Sequence, residues 1–341
     1  MSKIPSLFSR HSYAALAGAS RTVRFAAALM CAAALAASLP AQAQSYPAKP
    51  VRLVVPYPPG AGVDQVGRLI AEGLGERWNQ QVIVDNRAGA SGLIGAEYVA
   101  RSPADGYSVL IMPLDIAINP AVLDGNRYDP AQNLTPVASL ANSTQIVATA
   151  AGSGLSSFGE AAKRAQAEPG KLAFGSCGNG SPGQIVGLQL KTEASTEMLH
   201  VPYKGCANAV VDAAGGQIPL VIGGAGGITP QLRSGRLKAL AVVSETRDPL
   251  FPDVPTLKEL GYPVSFHHWF GLFVPNGTGS DVVSKIYADL ERVYADPGFA
   301  KKLANLNLNP ELQPGAEFKK RMTAEVDKYK TLLRQAGVKP E

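Results

Sequence analysis

The sequence predicts an α/β protein of two lobes built on parallel-rich sheets, and three observations carry that expectation. Strand-length runs are uniformly apolar, as strands buried on both faces are. Amphipathic helical stretches alternate with them, the pattern of βαβ units. The 298 residues left after an N-terminal leader exceed one compact α/β core.

The leader is read first because it changes the charge argument. Lys3, Arg10, Arg21 and Arg24 precede an apolar run from Phe25 to Leu39, followed by Pro40 and Ala41-Gln42-Ala43. That order of basic, apolar and small-residue segments is a secretory signal cleaved after Ala43. The run is too short and alanine-rich for a membrane anchor, and no other stretch is long enough to span a bilayer. Cleavage removes four basic and no acidic residues, so the net charge falls from +5 to +1. A nucleic-acid-binding reading loses its support, and no clustered basic stripe remains. The 46% hydrophobic and 17% charged composition is that of a globular chain, and the 35 glycines and 26 prolines follow no short period.

Strands are expected at Val51–Val55, Val82–Asp85, Ser108–Met112, Gln145–Thr149, Leu172–Gly175, Glu197–Val201, Leu220–Gly223, Leu237–Val243 and Trp269–Val274. Helices are expected at Asp64–Trp78, where Val66, Leu69, Ile70, Leu74 and Trp78 share a face, and at Phe158–Ala167, Gly183–Glu193, Asn208–Gly215 and Ser280–Tyr294. The chain crosses between lobes near Ala141–Gly154 and Gly261–Trp269. Residues 44–147 with 267–341 then form lobe one, and 148–266 form lobe two.

Strand ends carry the informative motifs, since open α/β sheets bind ligands there. In Val51-Arg-Leu-Val-Val-Pro-Tyr57-Pro-Pro59-Gly60-Ala61-Gly62-Val-Asp64 a buried strand bends through a glycine turn into a helix. Glycine lets backbone N–H groups approach a ligand, and a helix N-terminus supplies positive potential, so an anion is held without lysine or arginine. The same residues equally make a plain tight turn with Asp64 as helix cap. A second such turn is Gly175-Ser176-Cys177-Gly178-Asn179-Gly180-Ser181-Pro182-Gly183. It matches the dinucleotide spacing, but Val201-Pro202-Tyr203 stands where an acidic ribose partner belongs, so an amide cradle with Ser176, Asn179 and Ser181 is the better reading. Tyr203, Lys204 and Gly205 form a third loop, with Lys204 either on a carboxylate or simply solvated. Gly223-Gly-Ala225-Gly226-Gly227 is read as a flexible wall without side chains.

Catalytic and metal readings are weaker. Cys177 with His200 is a nucleophile and base lacking an orienting acid. His267 and His268 in extended chain point to opposite faces and do not share a metal. HExxH, Walker, zinc-type cysteine and G-x-S-x-G motifs are all missing from the sequence. With Cys31 in the leader, Cys177 and Cys206 remain as either one disulfide of an exported protein or two separate buried thiols.

Pro56-Tyr-Pro-Pro-Gly-Ala-Gly-Val-Asp64, Asn86-Arg-Ala-Gly-Ala-Ser-Gly-Leu-Ile-Gly95, Gly175-Ser-Cys-Gly-Asn-Gly180, His200-Val-Pro-Tyr-Lys-Gly205 and Trp269-Phe-Gly-Leu-Phe-Val-Pro275, in that order, resemble the Bug family of periplasmic solute receptors. The resemblance runs from Tyr46 to Val338. It implies a type II periplasmic binding fold that closes like a flytrap and a non-enzymatic, cofactor-free, unanchored periplasmic monomer. The implied ligand is a small carboxylate (di- or tricarboxylate, acidic amino acid or aromatic acid), and the implied partners are permease subunits of a tripartite tricarboxylate transporter. Carried onto this chain, it implies a site at Tyr57, Pro59, Gly60, Ala61, Gly62, Asp64, Ser143, Ser176, Asn179, Gly180, Ser181, Tyr203, Lys204, Gly205, Ala225 and Gly226. Rival functions are a receptor for a sensor kinase and an exported enzyme using Cys177 or His200.

Overall fold

The computed structural model describes residues 46–122 and 133–336, so the signal segment expected at 1–43 lies outside the described residues. Val51–Val55 (β1), Val82–Asn86 (β2) and Ser108–Pro113 (β3) pair in parallel with β1 between the other two. Their apolar runs are explained by burial on both faces. Leu53, Val55, Val109 and Ile111 pack into one core cluster while Val54, Leu110 and Met112 pack into another.

The remaining strands are Leu134–Ser143 (β4), Gln145–Ala150 (β5), Ala173–Ser176 (β6), Leu199–Pro202 (β7), Leu220–Gly224 (β8), Leu237–Val242 (β9), His268–Pro275 (β10) and Asn309–Pro314 (β11). They form a six-stranded sheet, β11-β4-β10-β3-β1-β2, and a five-stranded sheet, β7-β6-β8-β5-β9. Each is parallel at one end only. β6 pairs β7 and β8 in parallel, whereas β5 runs antiparallel to β8 and β9, and β10 runs antiparallel to β3 and β4. The sheets are therefore mixed where the apolar runs alone implied parallel pairing, because burial on both faces makes any central strand apolar whatever its direction.

The helices are Gly62–Trp78 (α1), Leu93–Ala100 (α2), Asp115–Val122 (α3), Phe158–Ala167 (α4), Pro182–Ala194 (α5), Cys206–Ala214 (α6), Ala225–Arg233 (α7), Ser280–Tyr294 (α8), Pro297–Asn305 (α9) and Gly315–Gln335 (α10). No helix among the described residues is long and apolar enough to cross a membrane. α1 buries Val63, Val66, Ile70 and Leu74 as one stripe and stops at Asn79, whose φ of 47° is left-handed. The Trp78 indole N–H donates to the buried Asp289 carboxylate of α8 at 2.7 Å, locking the two helices side by side.

The chain leaves the first sheet at Thr144 and returns through residues 244–267. Thr144 carries both ends of this joint. Its hydroxyl bonds Asp248, its carbonyl accepts from Ala225 N–H at 2.9 Å, and Asp248 also accepts from Asn309 at 2.8 Å. The long C-terminal helix α10 straps the first sheet there. Arg321 reaches Glu311 of β11 and donates to the Ser139 hydroxyl of β4 at 3.0 Å, Glu325 accepts from the Trp269 indole at 2.6 Å, and His267 lies 2.7 Å from Glu311.

Burial pushes the Glu311 carboxyl upward, but His267 and Arg321 outweigh it and hold it at about 2 instead of its ordinary 4.5. A depressed folded value stabilises fully above the unfolded value and is lost as pH falls through the folded one. We expect about 2 kcal/mol of stability to disappear between about pH 6 and about pH 3 through this group. Urea unfolding at both pH values should show a smaller acid loss in Glu311→Gln; an unchanged loss would remove Glu311 from the acid response.

Candidate functional site

A cavity of about 700 Å³ lies at the ends of both sheets and is lined by turns from each. The first turn follows β1. Gly60 has a φ of +85°, which favours glycine, and α1 begins two residues later. Asp64, on the first turn of α1, points back and not into the cavity. Its carboxylate accepts from Gly60 N–H at 2.8 Å, Arg68 Nε at 2.9 Å and Asn86 Nδ2 at 2.8 Å, and Asn86 also donates to the Tyr57 carbonyl at 3.0 Å. Burial raises this carboxyl, and those donors hold it below its usual range all the same. Asp64 thus braces the turn whose outer face, Tyr57, Ala61 and Gly62, lines the cavity.

The second turn joins β6 to α5. Ser176 is fully buried, with its hydroxyl 2.6 Å from His200 Nε2 and 3.1 Å from the Gly178 carbonyl and the Ser181 hydroxyl. Gly178 and Gly180 have φ of +131° and +72°, and Gly180 N–H donates to the buried Gln184 side chain at 2.6 Å. Asn179, Gly180 and Ser181 reach the cavity.

Cys177 and Cys206 form a disulfide with Cα atoms 4.2 Å apart, tying this turn to the start of α6. That settles the open cysteine question and removes the free thiol that a Cys177 nucleophile requires. Tyr203 donates to Asp212 at 2.8 Å behind the loop, and Lys204 and Gly205 are exposed.

The fourth wall is ordered helix, not flexible glycine. Gly224 ends β8 and precedes α7, so Gly226 and Gly227 lie in the first helical turn facing the cavity while Ala225 is buried in the core. A Cβ at Gly224 would come 3.4 Å from the Ser143 hydroxyl, so a bare position there lets the Ser143–Gln145 crossing pass.

Among the sequence-derived candidates, Tyr57, Ala61, Gly62, Ser143, Asn179, Gly180, Ser181 and Gly226 come together around the cavity. Pro59, Gly60, Asp64, Ser176, Tyr203, Lys204, Gly205 and Ala225 do not line it.

Besides α3, whose first residue Asp115 lines it, the helices α1, α5, α6 and α7 start at this cavity. Their N-cap residues Ala61, Ser181, Gly205 and Gly224 make no side-chain cap hydrogen bond. Of the helices that start elsewhere, α4 and α9 are capped by Ser157 and Asp296, while α2, α8 and α10 also start without a side-chain cap, so it is the convergence of the starts and not the missing caps that sets the cavity apart. Uncapped first-turn N–H groups lack intrahelical partners. Four starts converging on one space make a field favourable to an anion. No lysine or arginine lines the cavity among the described residues.

Sequence reading missed Asp115, His268, Phe270 and the Asn305–Leu308 segment, all of which line the cavity. Asp115 follows the end of β3, so the strand-end logic applied to β1 and β6 reaches it as well. The Tyr57 hydroxyl is bonded to Asp115, whose carboxyl burial pushes above its ordinary value. His268 turns to the cavity as its neighbour His267 turns to Glu311, which is the opposition of faces that extended chain requires. Burial, then His267, lowers the His268 ring to about 4, so it is neutral at pH 7.

The disulfide generates a prediction. With a sequence separation of 29 between its ends, it should contribute about 2–4 kcal/mol. Cys177→Ser/Cys206→Ser should lower the urea midpoint accordingly, and an unchanged midpoint would show that the loops are held without it.

A model of the tripartite tricarboxylate transporter family receptor (TctC) matches residues 66–338. The Bordetella pertussis protein BugT is 31% identical over 305 residues, covering 88% of this chain and 93% of BugT. The solved periplasmic binding protein BugD is 30% identical with a TM-score of 0.73, covering 87% of this chain and all of BugD. A Rhodopseudomonas palustris protein solved with adipate is also 30% identical, with a TM-score of 0.76 and the same coverage. With its two mixed sheets, uncapped helix starts and a match across four-fifths of its length, the chain belongs to the Bug-type receptors of the tripartite tricarboxylate transporter family.

Proposed function

We propose that this chain is a periplasmic receptor that captures a small carboxylate in the 700 Å³ cavity and delivers it to the permease subunits of a tripartite tricarboxylate transporter, without chemical turnover. The observation that carries this reading is the convergence of four uncapped helix starts on a space that no lysine or arginine lines among the described residues. Hydrogen bonds from N–H groups to a charged acceptor contribute roughly 1.5–3 kcal/mol each, more than neutral ones. The related protein solved with adipate supports a carboxylate ligand. Cleavage of the signal segment after Ala43 would release the chain to the periplasm, a compartment in which the Cys177–Cys206 bond persists.

Closure belongs to the same proposal. The lobes divide at Thr144 and within 244–267, a little before the 147/148 boundary expected from sequence, since β5 pairs wholly within the second sheet. A ligand contacting turns of both lobes favours the closed arrangement by its differential affinity.

Gly62 provides the test. Its φ is not in the left-handed region, and a Cβ there meets nothing within 4 Å, so a side chain enters the cavity without straining the fold. Gly62→Leu should weaken binding of whichever of adipate, malate, citrate or benzoate binds the native chain by at least about tenfold, roughly 1.4 kcal/mol, with unchanged thermal stability. Calorimetry showing equal affinity in both proteins would exclude the cavity as the binding site.

A further inference from the structure

The chain first passes between the sheets through Ser143, Thr144 and Gln145, and extended chain turns alternate side chains to opposite sides. Thr144 turns to Asp248, while Ser143 and Gln145 both line the ligand cavity. These two are buried, at 7% and 1% exposure. Yet the Ser143 hydroxyl and the Gln145 amide bond no protein group among the described residues. Neither is among the polar atoms sealed from solvent, so the part of each left accessible opens to the cavity. A polar group buried this deeply is costly unless water or a ligand supplies its partner.

Gly224 locates the two groups. β5 and β8 pair Gln145 with Gly224, so the amide lies beside a residue without a side chain. A Cβ on Gly224 would stand 3.4 Å from Ser143 Oγ and 3.6 Å from Gln145 Nε2, so these atoms flank a space that a single carbon would fill. Gly224 is also the uncapped N-cap of α7. The Ala225 N–H is spent on the Thr144 carbonyl, whereas Gly226 and Gly227, in the first helical turn, line the cavity. We propose that the ligand's carboxylate is seated at this helix start, with an oxygen in the space beside Gly224, and that Gln145 and Ser143 are its side-chain donors. This rests on the carboxylate reading above and gives the carboxylate a place among the four helix starts.

A carboxylate only accepts, whereas the amide nitrogen offers two N–H groups and the hydroxyl one O–H. Each side chain therefore gives the ligand a hydrogen bond to a charged acceptor, the stronger kind. A neutral amide and hydroxyl do this without the desolvation cost that a buried lysine or arginine carries. The Gln145 backbone is fixed by the joint itself. Its carbonyl accepts from Val243 N–H at 2.9 Å, and the Val243 carbonyl accepts from Phe266 N–H at 3.0 Å, so the residue that holds the ligand also laces the outgoing crossing to the returning one.

Two single variants of the full mature chain decide the matter. Gln145→Leu removes the amide and keeps an apolar side chain in its place. Calorimetry at neutral pH with adipate, malate, citrate and benzoate should show at least about tenfold weaker binding of whichever of them the native chain binds. Ser143→Ala should weaken the same ligand by at least about threefold. Urea unfolding without ligand separates contact from scaffold, because side chains without protein partners take no protein hydrogen bond away with them. Both midpoints should equal or exceed the native one. Smaller losses of affinity, or midpoints below the native one, would overturn the inference, and weaker binding by Gly62→Leu would then leave the carboxylate reading standing. Binding of none of the four acids by the native chain would overturn both.

Discussion

A cavity that no lysine or arginine lines among the described residues can attract an anion only through neutral donors, chiefly backbone N–H groups, and that requirement constrains the whole architecture. Unpaired backbone donors are concentrated at helix starts and in the turns before them, so several such starts meet at one place. Strands of an α/β sheet deliver helix starts at their C-terminal ends, which explains why β1, β6, β7 and β8 all point their ends toward the cavity. The caps must also be side-chain-poor, or the protein would satisfy its own N–H groups. Ala61, Gly205 and Gly224 have no side-chain donor or acceptor to offer, and Ser181 turns its hydroxyl toward Ser176. A cap such as Ser157 provides for α4, worth about 1 kcal/mol, is missing from these four starts.

Bare turns are floppy unless held from behind, and the polar residues that look most like ligand contacts perform that service. Asp64 gathers Gly60, Arg68 and Asn86 under the first turn, Ser176 gathers Gly178, Ser181 and His200 under the second, and Tyr203 is anchored on Asp212. In sequence, a polar side chain beside a glycine turn reads the same whether it faces the ligand or the scaffold. Only the direction of the side chain separates them, and spacing does not encode it. The glycines themselves were legible because their demand is conformational: Gly60, Gly178 and Gly180 all take positive φ.

Legibility of the fold followed the same division between local and tertiary causes. β1, α4 and α8 were bounded to the residue because an apolar run or a helical stripe begins and ends with them. β4 and β11 were not seen. Leu134–Ser143 contains Pro136 and many small residues, and its pairing with β10 is interrupted by register shifts. Asn309–Pro314 carries prolines at both Pro310 and Pro314, which an edge strand tolerates, and it exists as a strand because β4 pairs with it and Arg321 holds Glu311. α7 was hidden by its glycines, which are poor helix formers stabilised here by burial of Ile228 and Ala225. Asp115 and His268 are hidden for a different reason: no glycine turn follows β3 to mark its end, and adjacent histidines in sequence suggest only a metal pair.

The two histidines at the entry to β10 connect the cavity to the opposite side of the molecule. A second cavity, of about 730 Å³, lies there and is lined by Thr144, Asp248, His267, Arg321 and Glu325. His267 is held by Glu311 on that side, and His268 stands in the ligand cavity on the other. Successive residues of an extended chain face opposite sides, so the His267–Glu311 contact fixes the side to which His268 is turned. Glu311 in turn joins β11, β4 and α10 through Arg321, Ser139 and Asn142. The joint between the sheets is therefore polar and networked where the sheets themselves are apolar and close-packed. Packed apolar layers resist small displacements, and a buried polar network also holds one arrangement, since each lost partner costs about 1–3 kcal/mol. Concentrating the polar network at Thr144, Asp248 and Glu311 therefore fixes one geometry where the chain passes between the sheets, as Asp64, Ser176 and Asp212 do for the turns around the cavity.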